Sequence, residues 1–375
     1  DDLVLGTFGR AAWVLDDIKP LREIAKNTSV LNENITVFSP PTAYQASYQQ
    51  PTGSRFGGDA TYHGENRDSG ARIRYYFKKT KADSKEKEED TSIPLSEQND
   101  SEDREHEDVS NEDTNDEMED GKPSKDSIYM KIYDGTRLIR TLKTKVPDST
   151  GIYTCRWRMR EAGGDRPSRT IRKRRGEPGG TQVKPGTYKI TLEHDGNSTS
   201  TTLKVESDPR LDIPQQAITD SYNASKDIEK MTQTAADAVK QLVESKNAAE
   251  DFSKRLLKED KKKYKEEIKL TKEVTKQIDS LVALYLGKED KRQGITRNPE
   301  ITVMQRIGQA NWYSGSRPAG LTKTERILLK QAEDELTAAL DKTNSFFVTE
   351  WPEYKSKVEK IELAPFKETQ PIKLE

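Results

Sequence analysis

Short runs of alternating apolar and polar residues fill the first half of the chain. Near residue 208 the period changes from two to between three and four. Ala71–Phe77, Ile128–Tyr133 and Leu138–Leu142 alternate, and Asp134-Gly135 between the last two predicts a hairpin turn. Tyr153–Arg160 predicts the clearest strand, with Cys155, Trp157 and Met159 on one face and Arg156, Arg158 and Arg160 on the other. Pro185-Gly186 introduces a strand at Thr187–Leu192, and Asp195-Gly196-Asn197 turns it back into Thr201–Val205. Strands of this length, separated by turn signals, predict a fibronectin-type-III-like antiparallel β-sandwich.

Beyond Asp208-Pro209-Arg210 the apolar positions, from Ile218 and Tyr222 through Leu242 to Leu256, fall three or four apart and predict one long helix. A second helix runs from Tyr264 to Tyr285 and stops at Gly287. A third covers 301–313. Thr324 caps a fourth, whose apolar stripe extends from Ile327 to Phe347, and Trp351 and Val358 mark a last helical piece. Such stripes bury themselves against one another, so the expectation is an antiparallel helical bundle. The fold class is therefore α+β multidomain.

The first residues obey a different grammar. Leu3–Leu5 and Ala12–Leu15 flank Gly6–Gly9, which predicts strand, turn and strand. A lone hairpin is marginal in water, so this one is expected to complete a larger sheet or to pack on the next segment of the chain. Ile35–Phe38 predicts a further strand, ended by Pro40-Pro41. The expected division is 1–34 for the hairpin and its exit linker, 35–208 for the sandwich and 209–375 for the helices.

Composition refines this picture. Apolar residues make up 31% and charged residues 34%, which fits modest cores with wide surfaces better than a large α/β enzyme. The net charge of −2 provides no global field for nucleic acid or an anionic membrane. Cys155 is the only cysteine, so no intramolecular disulfide forms, and its place beside Trp157 predicts core packing. No apolar run approaches the roughly 20 residues of a membrane span. The sequence opens as though inside a strand, and a signal peptide is expected upstream.

The charges are unevenly distributed. Between Lys81 and Gly121 there are 18 acidic residues against 4 basic ones, so 81–125 is expected to be a disordered acidic insert. Within it Asp113, Asn115 and Glu117 have the first spacings of a calcium loop. Met118, however, stands where the sharp turn needs glycine, and no bidentate Glu falls at the right distance. The basic counterpart is Arg166, Arg169, Arg172, Lys173, Arg174 and Arg175, in a Gly- and Pro-rich loop. It is read as a surface loop between strands or a partner-docking surface rather than a nucleic-acid site, since no aromatic residues are interleaved with it.

Of the remaining chemistry, His63, His106 and His194 lack the short spacing of metal ligands. No nucleophile elbow, phosphate loop or zinc-protease motif occurs. No catalytic, cofactor or metal residue is assigned. Trp312-Tyr313 and Phe346-Phe347 with Trp351 admit a carbohydrate platform, but their helical spacing favours core or interdomain packing.

The segment GTFGRAAWVLDDIKPLREI resembles the last strand pair and exit linker of bacterial sortilin/Vps10-like BNR-repeat β-propeller proteins, a family labelled glycosyl hydrolase. The resemblance continues in order through Phe38-Ser-Pro-Pro41, Trp157-Arg-Met-Arg-Glu161, Pro185-Gly-Thr-Tyr188 and Ser207–Arg210. It implies that the hairpin is a propeller remnant, with sandwich and bundle after it. The family's Asp-box repeats do not occur in this chain, and the acidic insert replaces what would be a short connection. The expected function is a non-catalytic structural or interaction region of a secreted or envelope-associated protein. Its partners would be the rest of the propeller protein, envelope proteins or glycans, at an extracellular, periplasmic or outer-membrane location. The alternative is the accessory end of a sialidase-like BNR enzyme whose active site lies in the propeller.

Overall fold

Alternation and turn chemistry decide which strands meet. The computed structural model of the protein describes residues 2–9, 12–46, 70–79, 126–171, 176–289, 300–316 and 320–361. It divides into two units, Asp1–Gly163 with Arg174–Ile213, and Gly164–Lys173 with Pro214–Glu375.

The first unit opens with β1 (Leu3–Gly6) and β2 (Ala12–Leu15), an isolated antiparallel pair in which Leu3 faces Leu15 and Leu5 faces Trp13. Helix α1 (Lys19–Lys26), with a proline in its first turn, and a short 3-10 turn at Thr28–Asn32 lead on to β3 (Ile35–Val37) and β4 (Ala43–Gln45). Then come β5 (Ala71–Phe77), β6 (Ser127–Asp134), β7 (Arg137–Lys145) and β8 (Gly151–Trp157). A small ribbon of β9 (Arg160–Ala162) and β10 (Gly179–Gln182) precedes β11 (Gly186–His194) and β12 (Asn197–Ser207).

One sheet has the order β4-β12-β11-β6-β7 and another β3-β5-β8. Their inward residues form a single core: Ile73, Tyr75, Phe77, Cys155 and Trp157 from the smaller sheet, and Ile128, Met130, Ile132, Ile190, Leu192 and Leu203 from the larger. The β11–β12 turn places Asp195 and Gly196 at φ of 42° and 78°, the doubly left-handed geometry that matches strand twist.

Two expectations about the strands need correction. The sheets are not wholly antiparallel, because β4 runs parallel to β12. Pro40-Pro41 separates β3 from β4, and β4 joins the other sheet. The strand expected to continue to Arg160 instead ends at Trp157. Met159 takes φ of 57°, and the resulting kink brings the Arg160 carbonyl to 2.9 Å from the Trp157 indole N–H, which it accepts, while Met159 stays buried. His194 ends β11 beside the Asp195-Gly196 turn and is buried, edge-on to Phe77 at 5.4 Å.

In the second unit, five helices share one core: α2 (Gln215–Glu259), α3 (Lys265–Leu286), α4 (Val303–Gly315), α5 (Lys323–Val348) and α6 (Glu350–Val358). Ala235, Val239 and Leu242 meet Ile278, Tyr285, Ile307, Ala332 and Phe346 there. Two hydroxyl pairs cross the core, Tyr285 with Thr343 at 2.9 Å and Tyr354 with Thr271 at 3.1 Å. Helix α3 ends at Gly287, whose φ of 80° suits glycine. Helix α5 is capped by Thr322 rather than Thr324, because only Thr322 has a glutamate three residues on: its hydroxyl and the Glu325 carboxylate form a capping box. None of the described helices is long and apolar enough to cross a membrane.

Candidate functional site

The β1–β2 hairpin is the most unusual surface of the described residues. Its strands read Leu-Val-Leu-Gly and Ala-Trp-Val-Leu, with no alternation, so both faces of the ribbon are apolar. Every one of these residues is exposed, Val4 at 62%, Val14 at 59% and Trp13 at 66%, and Phe8 in the turn is fully exposed. A two-stranded ribbon gains little from its own hydrogen bonds in water, and strands without alternation belong to sheets covered on both faces.

The segment just after the hairpin is firmly held. The Asp16 carboxylate meets the Arg72 guanidinium at 3.0 Å, and Arg74 donates to the Asp16 carbonyl at 2.6 Å. Arg74 also lies 3.7 Å from the buried Asp17 carboxylate, and the Asp17 N–H donates to Asp2 at 2.9 Å. Asp17 adopts φ of 52° to make this turn. Arg72 stands directly opposite Arg156 across β5 and β8, a like-charge pairing that Asp16 offsets. The sequence shows Arg72 and Arg74 on one face of a strand and two acids after another, but nothing in it pairs them.

The motif residues prove to be joints of the framework. Glu161 is buried and binds Arg137 through both oxygens, at 2.9 and 3.1 Å. Arg140 donates to the Pro178 and Glu177 carbonyls and fastens the β9–β10 ribbon to β7, where Glu177 accepts the Thr141 N–H at 2.9 Å. Burial pushes the Arg140 guanidinium down from its usual value. Tyr188 packs edge-on against Trp157 at 5.4 Å, and its hydroxyl donates to the Lys184 carbonyl at 2.6 Å. Cys155 is buried, and burial raises its thiol above the usual range despite the Thr144 hydroxyl 3.7 Å away, the opposite of what a nucleophile needs.

Asp208 closes the strand unit. It accepts the Arg210 backbone N–H at 3.0 Å and binds the Arg210 side chain through both oxygens, and these bonds hold its carboxyl down at about 2. A carboxyl depressed on folding adds stability above its unfolded value, near 3.9, and loses it as pH falls through the folded value. Relative to Asp208→Asn, the parent should therefore have the higher urea midpoint at pH 7, with the gap closing between about pH 4 and pH 2. A pH-independent gap would show that the charge of Asp208 is not what contributes.

The arginine-rich loop is only partly within the described residues. Arg169 donates to the Gly287 carbonyl at the C-terminal end of α3, a favourable place for a cation, and the Asp165 N–H donates to Gln233 at 2.6 Å. Arg166 is exposed. Arg172, Lys173, Arg174 and Arg175 lie outside the described residues, as do the 81–125 insert with Asp113, Asn115 and Glu117, and His63 and His106. Of the helical aromatics, Phe346, Phe347, Trp351 and Tyr354 stack on one another in the helical core. Trp312 and Tyr313, in contrast, are exposed, at 75% and 47%.

No family model, curated protein or solved structure matches the chain.

Proposed function

We propose that this chain is a structural and interaction region whose hairpin completes a β-sheet lying outside it, as in the closing blade of a secreted, envelope-associated β-propeller protein. The observation that carries the reading is the ribbon of β1 and β2, apolar on both faces and exposed on both. Propeller blades are stacked sheets, each covered by its neighbours, and a ribbon built for that setting has this composition. The Asp16–Arg72 and Asp17–Arg74 ion pairs support it further, because a strand pair shared with another body needs an anchored exit.

The strand unit is read as fibronectin-type-III-like. In support, the orders β3-β5-β8 and β7-β6-β11-β12 are those of that sandwich, with β4 as an added edge strand. Tyr188, at the start of the sixth strand of that series and bonded four residues back, occupies the position of a tyrosine corner. The helices are read as a closing bundle, and the parts together serve as a scaffold.

Amide hydrogen exchange tests the proposal. In this chain alone the amides of Leu3–Gly6 and Ala12–Leu15 should exchange far faster than those of β5 or β11. In a longer polypeptide that supplies the blade they should become as protected as the core. Equal, fast exchange in both would overturn the sheet-completion reading, and turnover of an aryl glycoside by this chain alone would overturn the non-catalytic one.

A further inference from the structure

The turn between α2 and α3 concentrates charge as no other described part of the helical unit does. From Lys254 to Lys265 there are seven basic residues against two acids, with Glu250-Asp251 before this run and Glu266-Glu267 after it. Lys254, Arg255 and Lys258 lie on the last turns of α2, Lys261–Lys263 in the connection, and Lys265 opens α3. All are exposed. Along the rest of these helices acidic residues outnumber basic ones, and some are paired, as in Lys246 with Asp279 at 2.6 Å and Lys226 with Glu229 at 3.1 Å. Here Lys254 meets Asp251 at 2.9 Å, and Lys263 feels the Asp260 carboxylate and lies over the Tyr264 ring at 5.0 Å; among the described residues no other cation of the tip forms an ion pair within 4 Å. Asp260 accepts the backbone N–H groups of Lys262 and Lys263 and so shapes the turn. In the midst of the lysines Leu257 is 44% exposed, while Leu256 beside it is fully buried in the helical unit.

We infer that this basic tip docks the protein peripherally on an anionic lipid bilayer. Lysines without carboxylate partners attract a negatively charged surface additively, and an exposed leucine among them can enter the interface as the ammonium groups stay at headgroup level. The net charge of the whole chain does not oppose this, since charges beyond about 8 Å are screened at physiological salt. Six of the seven cations are lysines, compact point charges rather than the bidentate arginine forks that read base edges. This favours a fluid headgroup layer over a nucleic-acid duplex. This inference does not depend on the propeller reading.

Co-sedimentation of the full chain with phosphatidylglycerol/phosphatidylcholine vesicles tests it, with pure phosphatidylcholine vesicles as the neutral reference. Binding to the anionic vesicles alone, lost at high salt, is expected. At about five-fold per cation, the triple variant Lys258→Gln, Lys261→Gln, Lys262→Gln should bind about a hundred-fold more weakly. Lys230→Gln, Lys240→Gln, Lys276→Gln changes the charge equally on the same two helices. Its sites lie about 16 Å or more from the tip, so it should change binding less than about three-fold. Leu257→Ala should weaken binding without altering its salt dependence. All these positions are exposed, and circular dichroism should confirm an unchanged fold. The inference is overturned by no binding, by equal binding to neutral vesicles, by an equal loss in the two triple variants, or by retention of a DNA duplex in place of vesicles.

Discussion

Replacing Trp157 with alanine is expected to destabilise the strand unit by about 3–5 kcal/mol, the usual range for removing a large aromatic side chain from a core. Trp157 is 1% exposed and among the largest fully buried side chains in the protein. Two specific contacts disappear with its ring: the edge-on packing of Tyr188, and the indole N–H that satisfies the Arg160 carbonyl inside the kink. The loss therefore combines a cavity with an unpaired carbonyl. Trp157→Phe keeps part of the volume but not the N–H, and should fall between the parent and the alanine variant. Arg158→Ala, one residue away and exposed, should stay within about 0.5 kcal/mol. Cys155 reports on this unit alone. It is the only cysteine and it is buried, so its rate of maleimide labelling across a urea series tracks opening of the strand core. Labelling of Trp157→Ala at the parent's urea midpoint would show that the ring is not a core element.

Much of this architecture is legible from the order of residues, and the parts that are not have identifiable causes. Strands such as Ala71–Phe77 and Ile128–Tyr133 carry apolar residues on the core face and mostly polar ones on a less buried face, so period alone locates them. Helix α2 is evident because its apolar positions keep helical spacing throughout. Even the true cap of α5 is readable, for Thr322 and Glu325 have the capping spacing and Thr324 does not. The kink at Met159 has no local signal: a methionine at positive φ is imposed by what Trp157 and Val183 bond to. The joints at Asp16, Asp17, Glu161 and Arg140 are hidden for a different reason. With 63 basic and 65 acidic residues, charge alone permits far too many pairings, and only the fold selects among them. The hairpin stands between these cases. Its pairing is evident from its residues, whereas its exposure on both faces required the structure.

Gly180→Ala should destabilise the strand unit by about 1–3 kcal/mol, at the upper end of that range, because it overpacks a backbone contact. In the β9–β10 ribbon Gly163 and Gly180 face each other. A methyl group on Gly180 would sit 2.7 Å from both the Ala162 carbonyl oxygen and the Gly163 Cα, and one on Gly163 would sit 2.8 Å from the Gly179 carbonyl oxygen and the Gly180 Cα. These neighbours are all backbone, so no rotamer change relieves the clash and the two strands must separate. Separation would pull on the carbonyls of Glu161 and Pro178 that Arg140 holds, and on the bidentate Arg137–Glu161 pair, so the effect should reach the β7 edge. Gly151→Ala provides the contrast. Its added carbon would meet only the Tyr153 ring at 3.5 Å, an ordinary contact, and its backbone is not left-handed, so it should be neutral or stabilise by about 0.4–1 kcal/mol through the unfolded state. Cys155 labelling measures both variants on one scale. If Gly180→Ala labelled like Gly151→Ala, the close approach of the two strands would not be a constraint on the fold.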